Sequence, residues 1–385
     1  MKIAVIGHKG IPGASGGVER HVEEIYTRLA LEGHDITVYN RKGYSNGDKL
    51  YKGLKLKEVW TIKSKNLEAI IYSFLASLKV LFGKYEVVHY HALGPSTMSF
   101  IPKLFGKKVV VTVHGLDWQR AKWGGLAKFY LKLGELVSVK FADKIIAVSR
   151  TLTGYFLKEH QRKAEYIPNG IPHAEYQAPD NIKVLGINKD DYILFLARLV
   201  PEKGCHYLIE AYKKLNTKKK LVIAGGSSHT DRYVEELKKH ESTNIIFTGD
   251  VRGKCLIELL SNACFYVLPS EIEGLPITLL EAMSFGKACI VSNIPENLEV
   301  IQEEGKDIYG FSFKNKDVNN LAEKLKYLVD NQDMVERMKI KAKNHVEKEY
   351  NWNTIASQTL CVYQDILSSK IKAKNNISER NFISG

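Results

Sequence analysis

A chain of 385 residues that is 44% apolar and 26% charged has an ordinary globular balance and, at about 150 residues per domain, the length of two to three domains; disordered, collagen-like and fibrous classes are excluded. Its cysteines, Cys205, Cys255, Cys264, Cys289 and Cys361, lie singly, so neither a disulfide framework nor a zinc ribbon is expected and a reducing compartment fits. The net charge of +13 is lopsided, because residues 1–180 hold 27 Lys and Arg against 16 Asp and Glu, a net +11, which leaves +2 for residues 181–385. A basic half attracts anions such as phosphorylated small molecules or acidic lipid head groups, while the lack of arginine-rich runs, zinc-finger spacing or basic heptads speaks against nucleic acid.

In chain order, Ile3 to Ile6 reads as a buried first strand, too short an apolar run for the core of a signal peptide, which needs about 7 to 15 residues. Gly17 to Leu31 has helical spacing, and Ile36 to Tyr39 is β-branched and apolar. The most apolar window, Ala69 to Phe82, is interrupted by Lys79 and falls short of the roughly 20 residues of a membrane span. Strand-like runs recur at Val87 to Tyr90, Val109 to Val113 and Lys144 to Val148. In the stretch Trp123 to Val139 the residues Trp123, Leu126, Tyr130, Leu133 and Val137 step by three and four. That stripe reads first as core, with lipid contact by a basic helix over Trp123 to Lys140 as the alternative.

After the turn-rich Tyr166-Ile167-Pro168-Asn169-Gly170-Ile171-Pro172 the periodicity lapses through Asp180, and a linker is placed near residues 170–185. The pattern then restarts with strands at Tyr192 to Ala197, Leu221 to Ala224, Ile245 to Thr248, Phe265 to Leu268 and Ala288 to Ser292, alternating with helical spans at Cys205 to Leu215, Asp231 to His240, Gly253 to Asn262, Pro276 to Phe285 and Val318 to Asn331. Strand-helix alternation implies α/β domains with parallel sheets, doubly wound. The expected layout is a Rossmann-like domain over residues 1–175, a second over 176–350, a helix over 351–370 with its pattern in Trp352 to Leu367, and a flexible tail over 371–385.

Ligands of open α/β sheets bind at the carboxyl ends of the strands, so the loops after strands carry the chemistry. The first, Gly7 to Gly17, has five glycines but no G-x-G-x-x-G; its Gly16-Gly17 lets backbone N–H groups approach a phosphate at a helix start, or serves as a turn alone. Gly13-Ala14-Ser15-Gly16-Gly17 also matches G-x-S-x-G, but Ser15 lies too far past the strand for a nucleophile elbow. His114 and Asp117 follow Val109 to Val113 and could wall a small-ligand site, unless the histidine merely satisfies nearby backbone. Arg198 and Lys203 follow the Tyr192 strand, where a planar fork and a mobile ammonium together can neutralise a diphosphate, or where they lie solvated with Glu202 as partner. Glu273-Gly274-Leu275-Pro276 leads into a helix whose Glu281 sits among apolar neighbours and needs a hydrogen-bonding partner. Two carboxylates about two helical turns apart suit a polyhydroxy ligand, and the backbone of Gly274 to Ile277, Pro276 apart, could offer N–H groups to an anion.

Arg198 with Lys203, then Glu273 and Glu281 as E-x7-E, then Ala282-Met283-Ser284-Phe285-Gly286, with Gly16-Gly17, His114, Ile167-Pro168-Asn169-Gly170 and Tyr350-Asn351-Trp352 in order, resemble the retaining glycosyltransferases of family 4, over nearly the whole chain. Gly10-Ile11-Pro12 and Trp118 through Trp123 further resemble a bacterial rhamnosyltransferase-like subgroup. The resemblance implies the GT-B fold, two Rossmann-like domains facing a central cleft. It also implies a nucleotide-diphosphate-sugar donor with Arg198 and Lys203 on the diphosphate, Glu281 on the ribose, Glu273 on the sugar hydroxyls with Gly274, Leu275 and Pro276 beside it, and His114 lining the sugar pocket. Gly16 and Gly17 would approach the diphosphate or the acceptor, and Asp117 is a weaker candidate. No D-x-D occurs, so no metal or other cofactor is expected and the cations take that place. A glycan or polyprenyl-diphosphate-linked acceptor at the inner face of the cell membrane would suit the basic N-terminal half, and donor choice would involve the backbone near Gly249 to Lys254.

Two other readings stand beside it. An NAD-dependent oxidoreductase would need a glycine fingerprint and an acid closing the second strand, where the chain has Tyr39-Asn40-Arg41. A non-catalytic sugar-nucleotide-binding protein is separated from an enzyme only by turnover.

Overall fold

The structure, a computed structural model, describes residues 1–12, 16–64, 67–120, 123–171, 174–227 and 230–382, in two compact units: Met1–Asn169 with Trp352–Gly385, and Gly170–Asn351. In the first unit β1 (Lys2–Ile6), β2 (Asp35–Arg41), β3 (Leu50–Tyr51), β4 (Leu54–Val59), β5 (Val87–His91), β6 (Lys108–Val113), β7 (Lys144–Ala147) and β8 (Glu165–Tyr166) form one sheet in the order β3-β4-β2-β1-β5-β6-β7-β8. All pairs are parallel except the β3–β4 hairpin. The central strands are buried along nearly their whole length, as continuous apolar runs in a sheet covered on both faces must be. Strand order runs one way from β1 to β2 and the other way from β5 to β7, so right-handed crossovers put the helix Gly17–Leu31 on one face and the helices Glu68–Leu81 and Gly125–Phe141 on the other.

On the first face Val22, Ile25 and Leu29 pack with Trp352, Ile355 and Tyr363 of the last helix in one buried core, and Arg28 Nε donates to Asn353 Oδ1 at 2.8 Å. That last helix runs Trp352–Phe382, and residues 371–382 contain neither proline nor glycine. On the opposite face the expectation of a core stripe fails: Leu126 and Leu133 are exposed, and the helix buries Leu131, Gly134, Glu135 and Ser138 instead.

In the second unit β9 (Tyr192–Leu196), β10 (Lys220–Ala224), β11 (Ile245–Gly249), β12 (Phe265–Leu268), β13 (Ala288–Ser292) and β16 (Phe311–Phe313) form an all-parallel sheet of order β11-β10-β9-β12-β13-β16, and β14 (Gln302–Glu303) with β15 (Lys306–Asp307) makes a separate antiparallel ribbon. Here the order reverses between β9 and β12. The helices Pro295–Ile301 and Gln332–Glu349 were not read from the sequence. The supposed linker is fastened to this unit: Glu258, fully buried, accepts the backbone N–H of Asp180 at 2.9 Å and of Ile182 at 3.2 Å and the side-chain amide of Asn181 at 2.7 Å. Ser261 and Asn262 bind the main chain of Gln177. Among the described residues no helix is long and apolar enough to cross a membrane.

Candidate active site

The reversal between β9 and β12 makes the loops after those strands the natural ligand position of the second unit. Arg198 stands two residues past β9 in the loop that leads to a single 3₁₀ turn, Pro201–Lys203. Gly204 closes the turn in the left-handed region, φ +69°, and a Cβ there would lie 2.0 Å from the Pro269 carbonyl oxygen. Only glycine lets this loop press on the exit of β12. The N–H of Glu271 donates to the Glu202 carbonyl at 2.8 Å and completes the seam.

This packing brings Lys203 to Glu273. Their side chains form a short ion pair, Nζ to Oε1, and Ser270 Oγ donates to the same oxygen at 2.7 Å. Glu202 is therefore not the partner that a solvated loop would have given Lys203. Behind Ser270 stands a buried frame, in which Ser292 Oγ donates to the Ser270 carbonyl and Asn297 Nδ2 donates to Ser292 Oγ at 2.9 Å and to its carbonyl at 3.1 Å. Ser270, Ser292 and Asn297 are fully buried, so the carboxylate rests on groups that do not move with solvent.

Gly274, Leu275 and Pro276 are buried, and Pro276 caps the helix Ile277–Ser284, whose end no side chain caps. Glu281, two turns on, is half-buried, with Leu279, Leu280, Ala282 and Met283 fully buried around it. Nearby, the Tyr266 hydroxyl meets Thr278 Oγ1 and donates to the Leu196 carbonyl, both at 3.1 Å. Burial, then the charges of Glu273 and Glu299, push the Glu296 carboxyl up to about 7. Sequence reasoning missed Ser270, Ser292, Glu296 and Asn297, although Pro295-Glu296 opening a helix just after a strand is a readable signal. Near Gly249 to Lys254 the structure shows an exposed Arg252–Asp250 ion pair.

In the first unit Gly16, at φ 156°, takes a backbone conformation that side chains rarely allow, and Gly17 begins the helix Gly17–Leu31, with the Arg20 N–H donating to the Gly16 carbonyl at 3.0 Å. Gly13, Ala14 and Ser15 lie outside the described residues. His114 follows β6 and joins a histidine cluster. His114 Nε2 lies 3.1 Å from His91 Nδ1, His91 Nε2 lies 2.9 Å from the Tyr26 hydroxyl, and that hydroxyl also meets His89 Nδ1 at 2.7 Å and the Tyr363 hydroxyl at 3.1 Å. His21 Nδ1 is 2.9 Å from Asn169 Oδ1. Burial holds His21 down to about 4 and His89, His91 and His114 well below the usual imidazole value. These rings are neutral at pH 7. Ligand atoms of His21, His91 and His114 lie within 4.8 Å of one another, the one such grouping among the described residues that could hold a metal ion. Of the cluster only His114 was read from the sequence, though His89 and His91 alternate onto one face of β5 and pair in register with Val110 and Thr112 of β6. Asp117 is paired with Arg120 at 3.2 Å.

Known proteins match both units. Residues 15–175 fit the model of Glycosyltransferase Family 4 and residues 177–345 that of Glycosyl transferases group 1. The chain belongs to the group 1, family 4 glycosyltransferases. It is 27% identical to an uncharacterized glycosyltransferase of Methanocaldococcus jannaschii, over 94% of this chain and 98% of that one. It is 25% identical to the UDP-Gal:alpha-D-GlcNAc-diphosphoundecaprenol alpha-1,3-galactosyltransferase of Escherichia coli, over 95% and 98%. Its fold matches the sucrose-phosphate synthase of Thermosynechococcus elongatus with a TM-score of 0.82 at 20% identity, over 96% of this chain and 99% of that one. The two parallel-sheet α/β domains are those of the GT-B fold.

Proposed function

We propose that this glycosyltransferase moves a sugar, with retention and without a bound metal, from a nucleoside-diphosphate sugar to a lipid-diphosphate-linked or other glycan acceptor in bacterial cell-surface polysaccharide assembly, at the inner face of the membrane. The observation that carries the reading is the cluster of Lys203, Glu273 and Ser270 at the strand-order reversal, with Arg198 in the same loop as Lys203. Breaking a glycosyl-diphosphate bond builds negative charge on the leaving group, and prepositioned cations stabilise that charge in the transition state. Arg198 and Lys203 take the diphosphate, Glu273 the hydroxyls of the transferred sugar, and Glu281 the ribose. Gly274, Leu275 and Pro276 lead the backbone past the donor. From the first unit His114 is assigned to the sugar, and Gly16 with Gly17 to the diphosphate or the acceptor. The E. coli relative's name specifies a UDP-sugar and a diphosphoundecaprenol-linked acceptor, which supports the choice of substrates.

Retaining glycosidases use a carboxylate nucleophile with its partner acid about 5–5.5 Å away. In this mechanism the acceptor attacks on the face that the leaving group departs, and the leaving phosphate takes the acceptor proton, so no such nucleophile is required. The test is transfer from UDP-, GDP- and dTDP-sugars to lipid-linked acceptor. Lys203→Ala and Glu281→Ala each lose about 10²–10³ in rate while melting like the parent, and EDTA leaves the parent rate unchanged. Full activity in either variant removes the site assignment. A rate abolished by EDTA and restored by Mg or Mn contradicts the metal-free mechanism, and donor binding without turnover leaves a non-catalytic binder.

A further inference from the structure

The helix Gly125–Phe141 turns its polar side inward. Glu135, buried, accepts the Trp118 indole N–H at 2.8 Å and the Tyr155 hydroxyl at 2.7 Å, with His160 Nε2 also at 2.7 Å. Ser138 Oγ donates to the Gly134 carbonyl at 2.6 Å and to Ser96 Oγ at 2.9 Å. Outward stand Leu126, Phe129, Leu133 and Leu136, spaced three, four and three residues apart on one stripe, and 89%, 70%, 42% and 55% exposed. An apolar stripe of this size facing water marks an interaction surface, since taking such side chains out of water is favourable.

The apolar surface continues beyond the helix. The Phe100 ring packs 6.1 Å from that of Phe141, and the helix Phe100–Leu104 ends with Leu104 and Phe105 exposed. Lys107 Nζ donates to the carbonyls of Gly83 at 2.9 Å and Tyr85 at 3.2 Å, which ties that turn to the loop exposing Phe82. The stripe is flanked by Lys128, Lys132 and Lys140, and the helix's one acidic residue, Glu135, is buried inward. Lysines beside an outward apolar stripe are complementary to the boundary between anionic head groups and acyl chains.

We propose that this face of the first unit docks on a bilayer containing anionic lipid, with the helix Gly125–Phe141 lying in the plane of the interface. At 17 residues with three lysines the helix is too short and too charged to span the membrane. The inference deepens the proposed function, since a lipid-diphosphate acceptor is presented at such a surface, but it rests on no donor-site residue.

The test sediments the full chain with phosphatidylcholine vesicles, with and without phosphatidylglycerol, in the absence of nucleotide. The parent chain sediments with the phosphatidylglycerol vesicles and is released by salt. The double variant Leu126→Glu, Phe129→Glu partitions at least about tenfold more weakly, and Lys132→Gln with Lys140→Gln roughly tenfold more weakly, both with parental melting and with parental transfer to a water-soluble acceptor. A parent chain left in the supernatant, or variants that sediment like the parent, overturns the proposal. So does a lipid-free parental dimer that Leu126→Glu, Phe129→Glu splits into monomers without changing vesicle binding, because a second copy then covers the face. Vesicle binding without any sugar transfer leaves the docking surface standing and removes the transferase substrates instead.

Discussion

Glu273 and Glu296 interact, yet their surroundings differ. Glu273 has the Lys203 ammonium and the Ser270 hydroxyl on one oxygen, whereas burial and the charges of Glu273 and Glu299 push the Glu296 carboxyl up to about 7. A folded-state value raised above the usual 4.5 means that the native state favours the protonated acid. Its contribution to stability is intact below 4.5 and is lost as the pH rises through about 7. Glu296→Gln, which removes the ionisation and keeps the shape, therefore raises the melting temperature by a few degrees at pH 8 and changes it little at pH 5. Scanning calorimetry of parent and variant at both values decides it, and equal shifts at the two pH values remove the assignment. Glu273 was legible in the sequence because a carboxylate eight residues before another at a helix start is a pattern. Glu296 was not, because its shift comes first from burial and then from the charge of Glu273, 23 residues away in the chain, and neither leaves a local pattern.

Two segments show what periodicity can and cannot tell. The spacing of Leu126, Leu133 and their neighbours correctly implied a helix, but a period of 3.6 is the same for a stripe facing the core and one facing out. The side was decided by Glu135, Gly134 and Ser138, whose inward contacts are long-range and leave no local pattern. The stretch near residues 170–185 looked like a linker for the converse reason: its Gln177, Asp180 and Ile182 are held by polar contacts to Glu258, Ser261 and Asn262, and hydrophobic patterning is blind to those. Each buried N–H left without an acceptor costs about 1–3 kcal/mol, so Glu258→Ala loosens this segment as well as lowering stability. Hydrogen exchange measures it, with the amides of Asp180 and Ile182 losing protection ahead of those in β9. Unchanged protection at these two amides would show that the tether lies elsewhere. The fully buried parallel strands, by contrast, were legible almost to the residue, since they are continuous apolar runs; Phe265 to Leu268 and Ala288 to Ser292 are observed as read, whereas β4, which alternates buried and exposed residues, and the short β16 were not read.

At the scale of the molecule the first unit gathers five buried histidines whose surroundings refuse a proton. Burial lowers the imidazoles of His8 and His21 to about 4 and drives those of His89, His91 and His114 well below the usual 6.5, and all five lie in the first unit. A histidine whose folded value is depressed contributes stability above about 6.5 that is lost as the pH falls, because the unfolded chain takes up a proton which the native core refuses. Each such proton costs about 1.4 kcal/mol per pH unit within that window. Glu296, with the opposite sign, lies in the second unit, and Asp143, held below the usual carboxylate value although burial opposes it, by Lys103 and the Val109 N–H first among its partners, titrates below the window. The four tryptophans, Trp60, Trp118, Trp123 and Trp352, all belong to the first unit, so indole fluorescence follows its unfolding without the second. The expected result is a fluorescence melting temperature that holds near pH 7 and falls steeply towards pH 5, with a smaller fall in His8→Gln, which removes one of the five titrating rings. A melt that is flat from pH 7 to pH 5 would mean that these rings take up protons in the folded state, and the neutral cluster around Tyr26 would have to be redrawn with charge inside it.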